Sequence, residues 1–245
     1  MRKIDFKFAL PNLITIVGLC LGLNSLKLAF EGSFESALIF IVIASIIDSL
    51  DGRIARLLKG TSKFGAELDS LTDFVNFGVC PSIILYFWIL NNFGFYGWIV
   101  SMVFIVCCCL RLARFNLDID EKKEINWKVN FFKGVPSPAG AGLILLPMIF
   151  SFSSFKSIYQ INAEMILIIV IFVSLLMISK IPTYSIKKVK MSKNGFILLV
   201  LGTVLFFSFL FKNTFETLTI FGICYLVSIP VSFIHYSNLN KKYEK

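Results

Sequence analysis

The chain has 245 residues, 57% of them hydrophobic, and a mean hydropathy of +0.81, which excludes an ordinary soluble domain. The formal net charge is +9, but Lys and Arg gather in alternate loops between apolar runs, the pattern of a membrane protein with a positive inner side and not of a nucleic-acid binder. Six cysteines and one histidine, with no Cys-x-x-Cys pair, argue against zinc and read as small packing residues inside helices.

A bilayer core about 30 Å thick needs roughly 20 apolar residues per helix. The apolar runs predict spans at about 10–30, 34–58, 64–93, 95–115, 136–156, 163–181, 194–212 and 216–236. The first run follows Arg2, Lys3 and Lys7 like a signal peptide. It lacks a convincing small-residue cleavage site and opens with Pro11-Asn12, so it reads as a retained helix. The second span ends in Asp48-Ser49-Leu50-Asp51-Gly52-Arg53-Ile54-Ala55-Arg56, and the third begins with Gly65, Asp69 and Asp73. The fourth closes on Arg111, Arg114 and Asn116. Pro136, Pro138 and Pro147 shape the entry and bend of the fifth. The last two spans, about 194–236, read as peripheral, and His235 at their end reads as an interfacial residue. The whole is expected to be one all-α integral membrane domain over 1–245, a bundle of about eight transmembrane helices.

Charge fixes the expected topology. With eight spans, all but three of the 24 basic residues fall on the side of both termini; the exceptions are Lys27, Lys156 and Lys212. The positive-inside rule then puts both termini in the cytoplasm of a multi-pass inner-membrane protein. Lys187, Lys188 and Lys190 are placed to meet anionic headgroups of membrane lipids.

At about 100° per residue, Asp48, Asp51, Gly52 and Ala55 share one helical face, and Gly65, Asp69, Asp73 and Asn76 form a second stripe. The two stripes can face each other across a helical hairpin. Counting about 20 residues inward from each outer end brings all four carboxylates to the cytoplasmic headgroup layer. Four acids so close repel one another. One or two hard divalent cations, Mg²⁺ or Mn²⁺, suit oxygen ligands without His or thiolate. The matching chemistry is phosphoryl-type transfer, with cations bridging a diphosphate and a free carboxylate accepting a proton. A structural ion-pair network or an ion- or proton-coupled transporter remains as an alternative, the latter calling for acids near the bilayer midplane.

Asp51, Gly52, Ala55, Arg56, Gly65, Asp69 and Asp73, with Asp48 as a further upstream acid, match the signature D-G-x2-A-R-x8-G-x3-D-x3-D. The chain thereby resembles the CDP-alcohol phosphatidyltransferase family. The segments 10–15, 111–116, 134–139 and 180–185 are similar to its bacterial and archaeal serine-using branch. The resemblance covers about residues 8–190. It implies a six-helix core, homodimeric, with a cytoplasm-facing polar cavity, and transfer of the phosphatidyl group from CDP-diacylglycerol to L-serine. It implies that Asp48, Asp51 and Asp69 hold metal and that Asp73 is the general base and also touches metal. Asn12, Thr15, Gly52, Ala55, Arg56 and Gly65 would bind the CDP-lipid. For the acceptor, Arg111 and Arg114, three apart, can fork onto a carboxylate, with Asn116 and Ser137 as neutral partners. Both arginines would equally suit interfacial snorkelling, and glycerol 3-phosphate or inositol phosphate would also suit a cationic cavity.

Overall fold

The computed structural model describes residues 6–120, 131–157, 162–185 and 193–243. They form eight long helices: α1 Phe6–Phe30, α2 Phe34–Leu57, α3 Lys63–Trp88, α4 Phe95–Asp120, α5 Ser137–Phe152, α6 Ala163–Ile178, α7 Lys193–Lys212 and α8 Thr214–Tyr243. Each expected span has its helix. Residues 1–5, 121–130 and 186–192 lie outside the described part, and with them Arg2, Lys3, Lys187, Lys188 and Lys190.

Among the described residues, four helices are long and apolar enough to cross a membrane: α1, α3, α4 and α8. α2 has the length, but its last turns carry Asp48, Asp51, Arg53 and Arg56. α5 and α6 are apolar but shorter than their expected spans, with 16 residues each, or about 24 Å. α5 stops at Phe152 because the chain turns extended at Ser153. At the opposite end the missing length is made up by two short strands the spans did not foresee, β1 Phe131–Lys133 and β2 Pro182–Tyr184. They pair antiparallel, Phe132 opposite Thr183.

This clasp joins the end of α4, the start of α5 and the end of α6. The Gly134 amide donates to the Ile181 carbonyl at 2.8 Å, and the Thr183 hydroxyl to the Gly134 carbonyl at 2.9 Å. Irregular backbone is tolerated at such depth when protein satisfies its polar groups. On its exposed side, Tyr184 stacks on Phe131 and its hydroxyl lies 3.1 Å from His235 Nδ1. His235 therefore belongs to an aromatic cluster with the clasp.

The core lies where α3, α4, α5 and α6 meet, on Phe77, Phe104, Ile144, Met148, Val170 and Met177, all essentially inaccessible. α1 packs along α2 and against the length of α3. Small residues permit that approach: a Cβ on Gly22 would collide with the amide of Asn76, and one on Gly60 with the Lys7 carbonyl. α3 is continuous, but Phe74–Val79 widens into a π-turn. Pro81 follows it; proline removes a backbone donor and crowds the carbonyl four residues back, and a widened turn relieves that crowding.

Gly134 sits at φ +77°, and a Cβ there would lie 2.6 Å from the Met177 carbonyl oxygen and 2.8 Å from that of Ser179. Gly134→Ala is expected to destabilise the protein by at least about 1–3 kcal/mol, the usual cost of a left-handed non-glycine residue. A lower Tm in detergent would register it; an unchanged Tm would mean that the clasp does not hold the helix ends.

Candidate active site

The acids come together at one end of the bundle because α2 and α3 are antiparallel neighbours joined by the short turn 58–62. The Ser62 hydroxyl caps α3 by accepting from the Gly65 amide at 2.9 Å, which fixes where the second stripe begins. Single carboxylate oxygens of Asp48, Asp51 and Asp69 then lie within 4.8 Å of one another. Asp51 is buried, and the other two are half-buried.

Neighbours set each acid's orientation. The Thr15 hydroxyl of α1 stands 2.7 Å from Asp51 Oδ2 and 3.1 Å from the Pro11 carbonyl. The Gly52 amide donates to Asp51 Oδ1. Asp73 stands outside the three-acid cluster and faces Asp48 in side-chain contact. One oxygen each of Asp48 and Asp73 is buried without a hydrogen-bond partner. Like charges this close, partly out of water, are unfavourable without a counter-ion. Buried carboxylate oxygens lacking donors, on hard oxygen ligands, fit a divalent cation. The Asp48, Asp51 and Asp69 cluster is thus consistent, in the charge and geometry of its ligands, with a divalent-metal site.

Beside the cluster is a cavity of about 600 Å³. Asn12, Thr15, Gly52, Ala55, Arg56 and Gly65, the six residues singled out for the CDP-lipid, all line it together with Asp51 and Asp69. The two glycines differ in what makes them glycine. At Gly65 a Cβ would come 2.9 Å from Asn12 Oδ1, so the protein itself closes that space. At Gly52 nothing lies within 4 Å, so the helix backbone is bare toward the cavity. Arg56 bonds the Gly52 carbonyl through Nε at 3.0 Å and remains exposed.

The four acceptor candidates divide. Buried Arg111 donates to the Ser137 hydroxyl at 2.6 Å, lies 5.8 Å from the centre of the Phe115 ring and stands within electrostatic reach of Asp73. Arg114 departs from the expected fork. Its guanidinium donates to the carbonyls of Ile178 at 2.7 Å, Lys133 at 3.1 Å and Ser179 at 3.3 Å, tying the clasp to the end of α6. Asn116 exchanges hydrogen bonds with Ser70 at 3.1–3.3 Å, bracing α4 against α3. A further polar group sits nearby that no motif marks: Tyr225 of α8, close to Thr183 and Arg111.

The acids lie in the halves of α2 and α3 nearer their joining turn, Asp51 and Asp69 closer to it than Asp48 and Asp73. The sequence matches the CDP-alcohol phosphatidyltransferase family over residues 8–177, and the related group described as CDP-alcohol phosphatidyltransferase 2 over residues 196–230. The chain is similar to proteins named CDP-diacylglycerol–serine O-phosphatidyltransferase. With that of Helicobacter pylori (strain ATCC 700392 / 26695) it shares 36% identity over 90% of this chain and 89% of the relative. With that of Methanocaldococcus jannaschii it shares 38% over 75% and 77%. With that of Mycobacterium bovis it shares 38% over 76% of this chain, but the match spans 64% of the longer relative. On the extent of these matches and the multi-pass helical fold that carries the acids, the chain belongs to the CDP-alcohol phosphatidyltransferase family.

Proposed function

We propose that this protein transfers the phosphatidyl group of CDP-diacylglycerol to L-serine, releasing CMP, with Mg²⁺ or Mn²⁺ as one or two bound ions. The observation that carries the reading is the three-acid cluster, with ligand oxygens within 4.8 Å, on the wall of a cavity floored by bare backbone at Gly52. A cavity of about 600 Å³ falls in the range of pockets that hold a molecule of nucleotide size.

Asp48, Asp51 and Asp69 would hold the metal, and Thr15 would orient Asp51. Bound there, the ion would neutralise charge on the diphosphate and on the departing CMP. Gly52 would admit the nucleotide against the α2 backbone, and Gly65 makes room for Asn12; Asn12, Ala55 and Arg56 would flank the nucleotide. Asp73 would take the proton of the serine hydroxyl as its oxygen bonds to the phosphorus bearing diacylglycerol and the bond from that phosphorus to CMP breaks. The position of Asp73 outside the three-acid cluster supports the role of base over that of metal ligand. Arg111, buried with Ser137 and close to Asp73, suits the serine carboxylate. The names of the relatives support serine over glycerol 3-phosphate or inositol phosphate. The distribution of basic residues supports a cytoplasmic site with both termini inside, the chain acting as one domain. A homodimer accords with the family.

Three measurements test this reading. Thr15→Val should weaken Mn²⁺ binding about ten- to a hundredfold, as expected when a group supporting a ligand is removed; unchanged affinity by paramagnetic resonance would detach Thr15 from the metal site. Gly52→Ala should keep the wild-type Tm, because the space is open, yet weaken CMP binding; equal CMP binding by calorimetry would move the nucleotide elsewhere. Asp73→Asn should lower metal-dependent CMP release at least about a hundredfold and keep CDP-diacylglycerol binding. In the same assay, preference of the wild type for glycerol 3-phosphate over serine would overturn the choice of acceptor.

A further inference from the structure

Arg111 is 7% exposed. Its guanidinium touches Ser137 and lies near the Phe115 ring, while its Nε is buried without a hydrogen-bond partner. No described carboxylate forms an ion pair with it. A cation held this way, in a membrane-embedded bundle, calls for an anion. Asp73 lies within electrostatic reach but faces Asp48 of the acid cluster.

A second group turns toward the same place from a helix outside the signature. Tyr225 lies near the middle of α8, which packs on α5 and on β2. Its hydroxyl is close to Thr183 and within electrostatic reach of Arg111, yet it is buried with no hydrogen-bond partner. The Thr183 hydroxyl donates its proton to the Gly134 carbonyl, so toward the phenol it can only accept. A buried phenol without a strong acceptor for its proton is unfavourable, so the position makes sense once an anion accepts it. Two orphaned donors, Arg111 Nε and Tyr225 Oη, from α4 and α8, thus stand in one neighbourhood adjoining Asp73.

We propose that Arg111 and Tyr225 form a carboxylate-binding subsite for the acceptor amino acid, with Tyr225 as a specificity-determining residue supplied by the last helix. The inference rests on the serine-transfer reading above and adds to it the group that separates serine from acceptors without a carboxylate. Its chemistry is a charge-assisted pair of donors, guanidinium and phenol, on one carboxylate. A hydroxyl-bearing amine could enter the same space but would leave both donors unpaired, and that is how polar sites reject analogues lacking a group.

Tyr225→Phe keeps the ring, which also walls an apolar groove between α2, α5, α7 and α8, and removes only the hydroxyl. Steady-state CMP release from CDP-diacylglycerol would be measured with L-serine and with serinol, in which a hydroxymethyl group replaces the carboxylate. The variant is expected to raise KM for serine about tenfold or more, leave KM for CDP-diacylglycerol unchanged, and use serinol at least as well as the wild type does. The unchanged CDP-diacylglycerol KM is the control for folding. An unchanged serine KM beside an active wild type would overturn this proposal alone, as would equal losses with serine and serinol. A wild type that releases no CMP with serine would overturn the parent reading and this one with it.

Discussion

Everything at the functional end of this bundle answers to the repulsion among carboxylates held partly out of water. Asp48, Asp51 and Asp69 approach within 4.8 Å, and Asp73 faces Asp48. Left alone, such a group would push α2 and α3 apart at their joined ends. Three neutral devices oppose this: the Ser62 cap that sets the start of α3, the Thr15 hydroxyl on Asp51, and the Gly52 amide on the same carboxylate. None of them neutralises charge. The fold therefore supplies shape, and a bound cation would supply the compensation, which would couple metal affinity to local stability.

That shape depends on how near α1 comes. Thr15 reaches Asp51 because Gly22 accepts the Asn76 amide against its backbone and Gly60 lets the α2–α3 turn touch the Lys7 carbonyl. Association of helices in lipid relies on such close packing, since burial of apolar surface gives little advantage there. The same helix carries Asn12 into the cavity wall. One packing contact thus serves two ends: it orients one carboxylate of the acid cluster, and it closes one side of the adjoining cavity.

Much of this is legible in the sequence, for a physical reason. Helical periodicity is rigid, so spacings of three and four residues place Asp48 with Asp51 and Asp69 with Asp73 on single faces before any tertiary contact is known. Apolar run length marks the eight helices just as directly. What escapes are features decided by contacts far apart in the chain. The 131–133 and 182–184 segments carry no alternating pattern, yet they pair because three helix ends converge and their backbone needs partners. Arg114 looks identical to Arg111 in sequence, three residues apart on one helix, but the carbonyls of Ile178, Lys133 and Ser179 claim its guanidinium. The π-turn at 74–79 had a local signal in Pro81. Tyr225 had none, because a tyrosine in an apolar helix ordinarily reads as lipid-facing or interfacial.

The division of labour between the two arginines explains why the clasp exists at all. Arg111 can stay buried without an ion-pair partner only if the elements around it do not relax to supply one. Arg114 prevents that relaxation. By joining the carbonyls of Lys133, Ile178 and Ser179, it locks the exit of α6 to the entry of α5, which presents Ser137 to Arg111. β2 is the other arm of this lock, and it carries Thr183 beside Tyr225. A strut made of backbone carbonyls around one guanidinium holds the surroundings of a second, whose Nε is left without a partner near Asp73 and would suit the carboxylate of an acceptor. The short strands, the positive-φ glycine and the docking of α8 are then parts of one support, built to hold a charge in readiness.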